Sequence, residues 1–140
     1  MIPWVYKMTG HFVRARVKTD FSSLFKSLVS KFANIYANVM YEEKRVGIIL
    51  GEKYFFRTNS TAAICIFVKE LNLEECLLDI ISFAGGGGLL NISWGAHYDY
   101  VHEVLRFIGD LRVDLKKELE INYFSFENLP QDIAERLKNL

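Results

Sequence analysis

The chain has 140 residues, 51% hydrophobic and 14% aromatic, and its 17 basic and 17 acidic side chains cancel to zero net charge. That length and apolar share imply one domain with a substantial core. A pI near 6.8 argues against a general nucleic-acid surface, and two cysteines are too few for a secreted disulfide scaffold.

The opening residues Met1-Ile2-Pro3-Trp4-Val5-Tyr6-Lys7 lack the charged start and apolar run of a signal peptide. No apolar run approaches the ~18–20 residues of a membrane span. The expectation is a cytoplasmic protein that makes no use of a membrane. Charge is split along the chain: residues 1–70 hold 11 Lys/Arg and 5 Asp/Glu, and residues 71–140 hold 6 and 12. Such a split either marks an anionic partner or self-association, or disappears when the halves interleave in one fold.

Residues 4–18 read as a strand, because His11, Val13, Ala15 and Val17 alternate with Phe12, Arg14, Arg16 and Lys18. The basic set with Phe12 could form a nucleic-acid face, but the ribonucleoprotein motifs are absent, and nucleic acid is not expected as a partner. Residues 21–40 read as one helix. Phe21, Leu24, Phe25, Leu28, Phe32, Ile35, Tyr36 and Val39 fall on one stripe, and Asp20 serves as N-cap.

Arg45 to Arg57 reads as one bent strand or a hairpin around Gly47 and Gly51. Thr61 to Lys69 is a central strand, and Glu75 to Ala84 its partner across Leu71-Asn72-Leu73. That hairpin would bring Cys65 and Cys76 near each other. Gly85-Gly86-Gly87-Gly88 then leads into a short strand, Leu89 to Trp94. The run fails the dinucleotide pattern, since position 90 is leucine, and it lacks the Gly-Lys-Ser/Thr of a phosphate loop. It is either a tight turn or a nest of backbone amides for an anion.

Residues 96–119 read as the second long helix, with Val101, Val104, Leu105, Ile108, Leu111, Leu115 and Leu119 on its stripe. Gly109 inside it suggests close packing. On that helix His97 and His102 lie about 140° apart and cannot share an ion. His97 points with Val101 toward the core. Asp99, His102, Glu103 and Arg106 cluster on the wet face, with Glu103 and Arg106 placed to pair. The sequence lacks the second histidine of an H-E-x-x-H helix, so no metal and no cofactor are expected. Cys76 with a histidine is a conceivable nucleophile pair, but no cysteine-enzyme signature surrounds it. A tail follows: a strand over Glu120 to Phe126 and a short helix opened by Pro130.

The order β-α-β-β-β-β-α with a small β-α appendix argues for a single α+β domain, with a mainly antiparallel curved sheet against two long helices, as in helix-grip domains. Lys53-Tyr54-Phe55-Phe56-Arg57, the following apolar strand, and Gly85-Gly86-Gly87-Gly88-Leu89-Leu90-Asn91-Ile92-Ser93-Trp94-Gly95 together resemble a family of small bacterial and archaeal α+β proteins of unknown function. The resemblance covers roughly residues 5–110. It implies a compact α+β domain and brings no activity and no site residues.

The functional expectation is a non-enzymatic ligand-binding or protein-interaction module, self-associating as a homodimer, with a small apolar or anionic ligand. The alternative is a small enzyme or anion-binding protein. In either case the candidate site residues are Gly85, Gly86, Gly87, Gly88, Trp94, Asp99, His102 and Glu103.

Overall fold

The computed structural model describes residues 9–56, 60–84, 95–123, 135 and 137–140. The elements in chain order are β1 (Thr9–Val17), α1 (Phe21–Phe32), β2 (Ile35–Tyr41), β3 (Lys44–Phe55), β4 (Ser60–Asn72), β5 (Glu75–Ala84), α2 (Ala96–Asp110) and β6 (Leu115–Tyr123). The six strands form one sheet in the order β2-β3-β4-β5-β1-β6, with every neighbouring pair antiparallel. The fold is therefore α+β.

Both helices lie on one face of the sheet. Period-2 alternation sends Val13, Ala15 and Val17 of β1, Ile64, Ile66 and Val68 of β4, and Cys76, Leu78 and Ile80 of β5 to that face, where all are buried. They meet Phe21, Leu24, Phe25, Leu28 and Phe32 of α1 and Tyr100, Val101, Val104 and Ile108 of α2. Two glycines of β3 allow this close approach. A methyl at Gly47 would collide with the Phe25 ring, and one at Gly51 with the backbone carbonyl of Phe32. The helices touch each other through Phe32, which packs edge-on against Phe107.

The opposite face carries Phe12, Cys65, Phe67, Leu77 and Ile81, all partly exposed, beside a polar island. In that island Asp79 is buried. It accepts two hydrogen bonds from Arg14, at 2.6 and 2.8 Å, and one from Lys69 at 2.9 Å. Burial alone raises a carboxyl pKa, but these cations outweigh it and hold Asp79 below its ordinary value. Arg14–Asp79, Lys69–Asp79, Arg16–Glu118 and Lys53–Glu103 all join the basic first half to the acidic second half. The charge split along the sequence is thus mixed in space.

Several boundaries differ from those expected. The first helix stops at Phe32, because Ala33 turns extended and Asn34 bonds across to β3: its amide donates to the Leu50 carbonyl, and its side chain accepts from the Glu52 amide. Ile35, Tyr36 and Val39, which fit the helical stripe, lie on strand β2 instead. The second helix stops at Asp110. Arg112 adopts a left-handed conformation, with φ of 59°, and Leu115 and Leu119 belong to β6. Lys44 to Phe55 is one strand rather than a hairpin. Asp20 caps α1 as expected, accepting from the Ser23 amide at 2.9 Å. Gly109 faces open space, not a close neighbour. Cys65 and Cys76 are free and lie on opposite faces of the sheet, so hairpin pairing does not bring them together. The tail from residue 124 to 134, with Pro130, lies outside the described residues.

Candidate metal centre

The chain has three histidines, and all three gather where α2 crosses β1 and β6. Register explains the strand contribution. Val13 of β1 stands opposite Glu120 of β6, and His11 opposite Asn122, so His11, Glu120 and Asn122 share the helix-covered face. A β-bulge then interrupts the pairing. Arg14 faces Leu119 while Ala15 faces Lys117, leaving Glu118 as the extra residue of β6. The bulge puts Lys117 on the same face as Glu120, and its ammonium donates to Glu120 Oε1 at 2.6 Å.

Helix α2 contributes from above. His102 sits five residues after His97, and the two rings diverge as the helical wheel predicts. His97 is buried. His102 is partly exposed and reaches Glu120. Glu120 Oε2 lies 2.6 Å from His11 Nε2 and 3.0 Å from His102 Nε2, so one carboxylate oxygen bridges two imidazoles. The donor atoms of His11, His102 and Glu120 all lie within 4.8 Å of one another.

The surroundings fix these side chains. Tyr98 stacks on His102 with centroids 4.0 Å apart and meets His11 edge-on at 5.0 Å. His11 is 2% exposed, and its Nδ1 has no hydrogen-bond partner among the described residues. A buried polar atom of that kind is uncommon and costs stability. The Lys117 hydrogen bond, with those of His11 and His102, pulls the Glu120 carboxyl down to about 2 against a smaller effect of burial. Glu120 is therefore an anion across the physiological range. His97 forms a second layer, its ring 6.4 Å from that of His11. Burial pushes its imidazole down to about 4, partly offset by a hydrogen bond with Asn122. It stays neutral at pH 7.

Two imidazoles and one carboxylate are the donor set of borderline divalent ions such as Zn²⁺, Fe²⁺, Co²⁺ and Ni²⁺. Imidazole nitrogens do not suit Mg²⁺ or Ca²⁺, which take oxygen ligands. A tetrahedral ion with bonds of 2.0–2.1 Å places its donors about 3.3 Å apart. The Glu120 contacts are already that short. For an ion to replace their shared hydrogen bonds, Glu120 would draw back from the two nitrogens and the imidazoles, whose donor atoms lie within 4.8 Å, would close on it. Three protein ligands would leave at least one coordination position for water or a small ligand.

Among the described residues singled out from sequence, only His102 takes part. Glu103 turns the other way and pairs with Lys53, both oxygens within 2.9 Å of its Nζ, and not with Arg106. Asp99 occupies the first turn of α2. Gly85, Gly86, Gly87, Gly88 and Trp94 lie outside the described residues. The helical argument against a shared ion holds for His97 with His102. It does not reach the set found here, because His11 and Glu120 come from strands 109 residues apart. The available signal was His11 itself, a titratable residue in the buried set of its strand. Cys76 is no nucleophile pair: it donates to the Thr19 carbonyl at 3.6 Å, and burial pushes its thiol up to about 11.

Among the described residues no helix is long and apolar enough to cross a membrane. No family model matches the chain, and no curated protein matches it.

Proposed function

We propose that this domain is a binding module whose ligand is a divalent transition-metal ion, held by His11 Nε2, His102 Nε2 and Glu120. The observation that carries the reading is the convergence of three donors from three separate elements on one point, within 4.8 Å. A buried histidine, a second histidine and a glutamate held in its ionised form share one oxygen, and such perturbed, converging groups mark candidate sites. Lys117 retains Oε1, which leaves Oε2 to the ion and makes Glu120 a one-oxygen ligand. Tyr98 clamps both rings, and His97 fills the layer behind them. We read the arrangement as helix-grip-like with shortened helices, the polar site lying between helix and sheet in place of an apolar cavity.

Calorimetric titration of the chelator-treated protein with Zn²⁺ tests this. One ion should bind per chain. His102→Gln and Glu120→Gln should each weaken binding at least about 100-fold, more than is typical for residues that only support a ligand. Glu103→Gln, on the other side of α2, should leave it unchanged. Zinc bound with equal strength by wild type and both ligand variants, or not bound at all, contradicts the reading.

A further inference from the structure

The two edges of the sheet are built differently. β6, at one edge, carries Lys116, Lys117, Glu118 and Glu120. Charges of this kind blunt an edge against pairing with another chain. β2, at the other edge, reads Ile35-Tyr36-Ala37-Asn38-Val39-Met40-Tyr41, with no charge, no proline and no bulge in its pairing with β3. All seven residues are exposed, and Ile35, Tyr36, Met40 and Tyr41 are 61–69% so. Among the described residues nothing pairs with its outer side.

The hydrogen bonds open to a partner follow from the register. The two-residue turn Glu42-Glu43 makes Tyr41 and Lys44 the hydrogen-bonded closing pair. Alternation then turns the backbone groups of Tyr36, Asn38 and Met40 away from β3. The Arg45 amide, opposite Met40, accordingly points away from β2 and donates to Glu70.

We propose that β2 pairs antiparallel with β2 of a second copy, about a two-fold axis at Asn38, giving one continuous sheet across a homodimer. The strand is complementary to itself in this register. Asn38 faces Asn38 of the other copy, and the outward groups of Tyr36 meet those of Met40, an aromatic–thioether pair made twice. Ile35 faces Tyr41, a β-branched–aromatic pair, also made twice. The exposed turn acids Glu42 and Glu43 come beside the end of the other copy's α1, which carries exposed Lys31. The charged β6 edge keeps the assembly from extending further. This inference is independent of the metal centre.

Sedimentation velocity over a dilution series tests it in the full chain. The wild type should be dimeric at micromolar concentration and dissociate on dilution. Tyr36→Lys with Met40→Lys places like charges opposite each other at both symmetry-related pairs and should weaken the dimer at least about 100-fold. Tyr36→Glu with Met40→Lys restores opposite charges in the same register and should restore the dimer. Tyr36 also packs edge-on against Phe25, so a second measurement avoids substitution. In the wild type, the Tyr36, Asn38 and Met40 amides should exchange hydrogen more slowly as concentration rises. A wild type that stays monomeric, including one that pairs this edge with a different polypeptide, overturns the proposal. So does a dimer that survives the double-lysine variant, one the Glu–Lys variant fails to restore, or exchange independent of concentration.

Discussion

His97 and Glu120 both hold their native protonation below the pH at which an unfolded chain would lose it, but in different windows. An unfolded histidine takes up a proton near pH 6.5, whereas burial keeps His97 neutral down to about 4. Between those values the unfolded state binds the extra proton, so stability falls as pH drops through the window. The loss between pH 7 and pH 4 is on the order of 3 kcal/mol. Denaturant melts from pH 7 to pH 4 should show that loss, and His97→Gln should flatten the slope. A slope unchanged in the variant would assign the loss to other groups. Glu120 acts lower, from the ordinary carboxyl range down to about 2. Glycines separate the same way, by surroundings. Gly51 admits no methyl, because the Phe32 carbonyl fills the space, so Gly51→Ala should destabilise by about 2 kcal/mol. Gly109 faces open space within α2, and Gly109→Ala should stabilise by about 0.5–1 kcal/mol. Thermal melts of the two variants should shift in opposite directions.

At the scale of elements, the turn between β2 and β3 is under strain. Glu42 and Glu43 have φ of 50° and 65°, the left-handed pair of a hairpin turn that favours Asn-Gly. Replacing them with Asn-Gly should raise stability by about 1 kcal/mol, read as a higher denaturation midpoint with an unchanged slope. A lower midpoint would mean that the two carboxylates do more than close the turn. The same hairpin shows why element boundaries were only partly legible. Ile35, Tyr36 and Val39 satisfy a helical stripe and an edge strand equally well, since an exposed edge imposes no buried face on its residues. The strand is decided by the backbone bonds of Asn34 to β3, which depend on a partner 16 residues away. Leu115 and Leu119 extend the α2 stripe on paper in the same way, and the left-handed Arg112 turns them onto β6. The buried strands β4 and β5 and the cap at Asp20 were legible because their signals are local: apolar alternation and a carboxylate beside free amides.

For the whole molecule, the fold class was legible and the site was not. His102 stood out because its helix could be wound from the sequence. His11 and Glu120 could not be joined to it without knowing that β1 pairs with β6 at the far edge of the sheet, or that a bulge sets Lys117 beside Glu120. The β1–β6 pairing brings together residues 109 positions apart, and a slip of one residue would turn Glu120 to the other face. The result is a sheet whose helix-covered side holds a polar cluster at one edge and whose other edge ends in an uncharged strand. The central claim is that the cluster is a metal centre. Anomalous diffraction at the zinc edge from crystals soaked in Zn²⁺ tests it most directly. The account predicts one strong peak about 2.0–2.2 Å from His11 Nε2, His102 Nε2 and a Glu120 oxygen. A map with no peak there, or with zinc only at other residues, would contradict it.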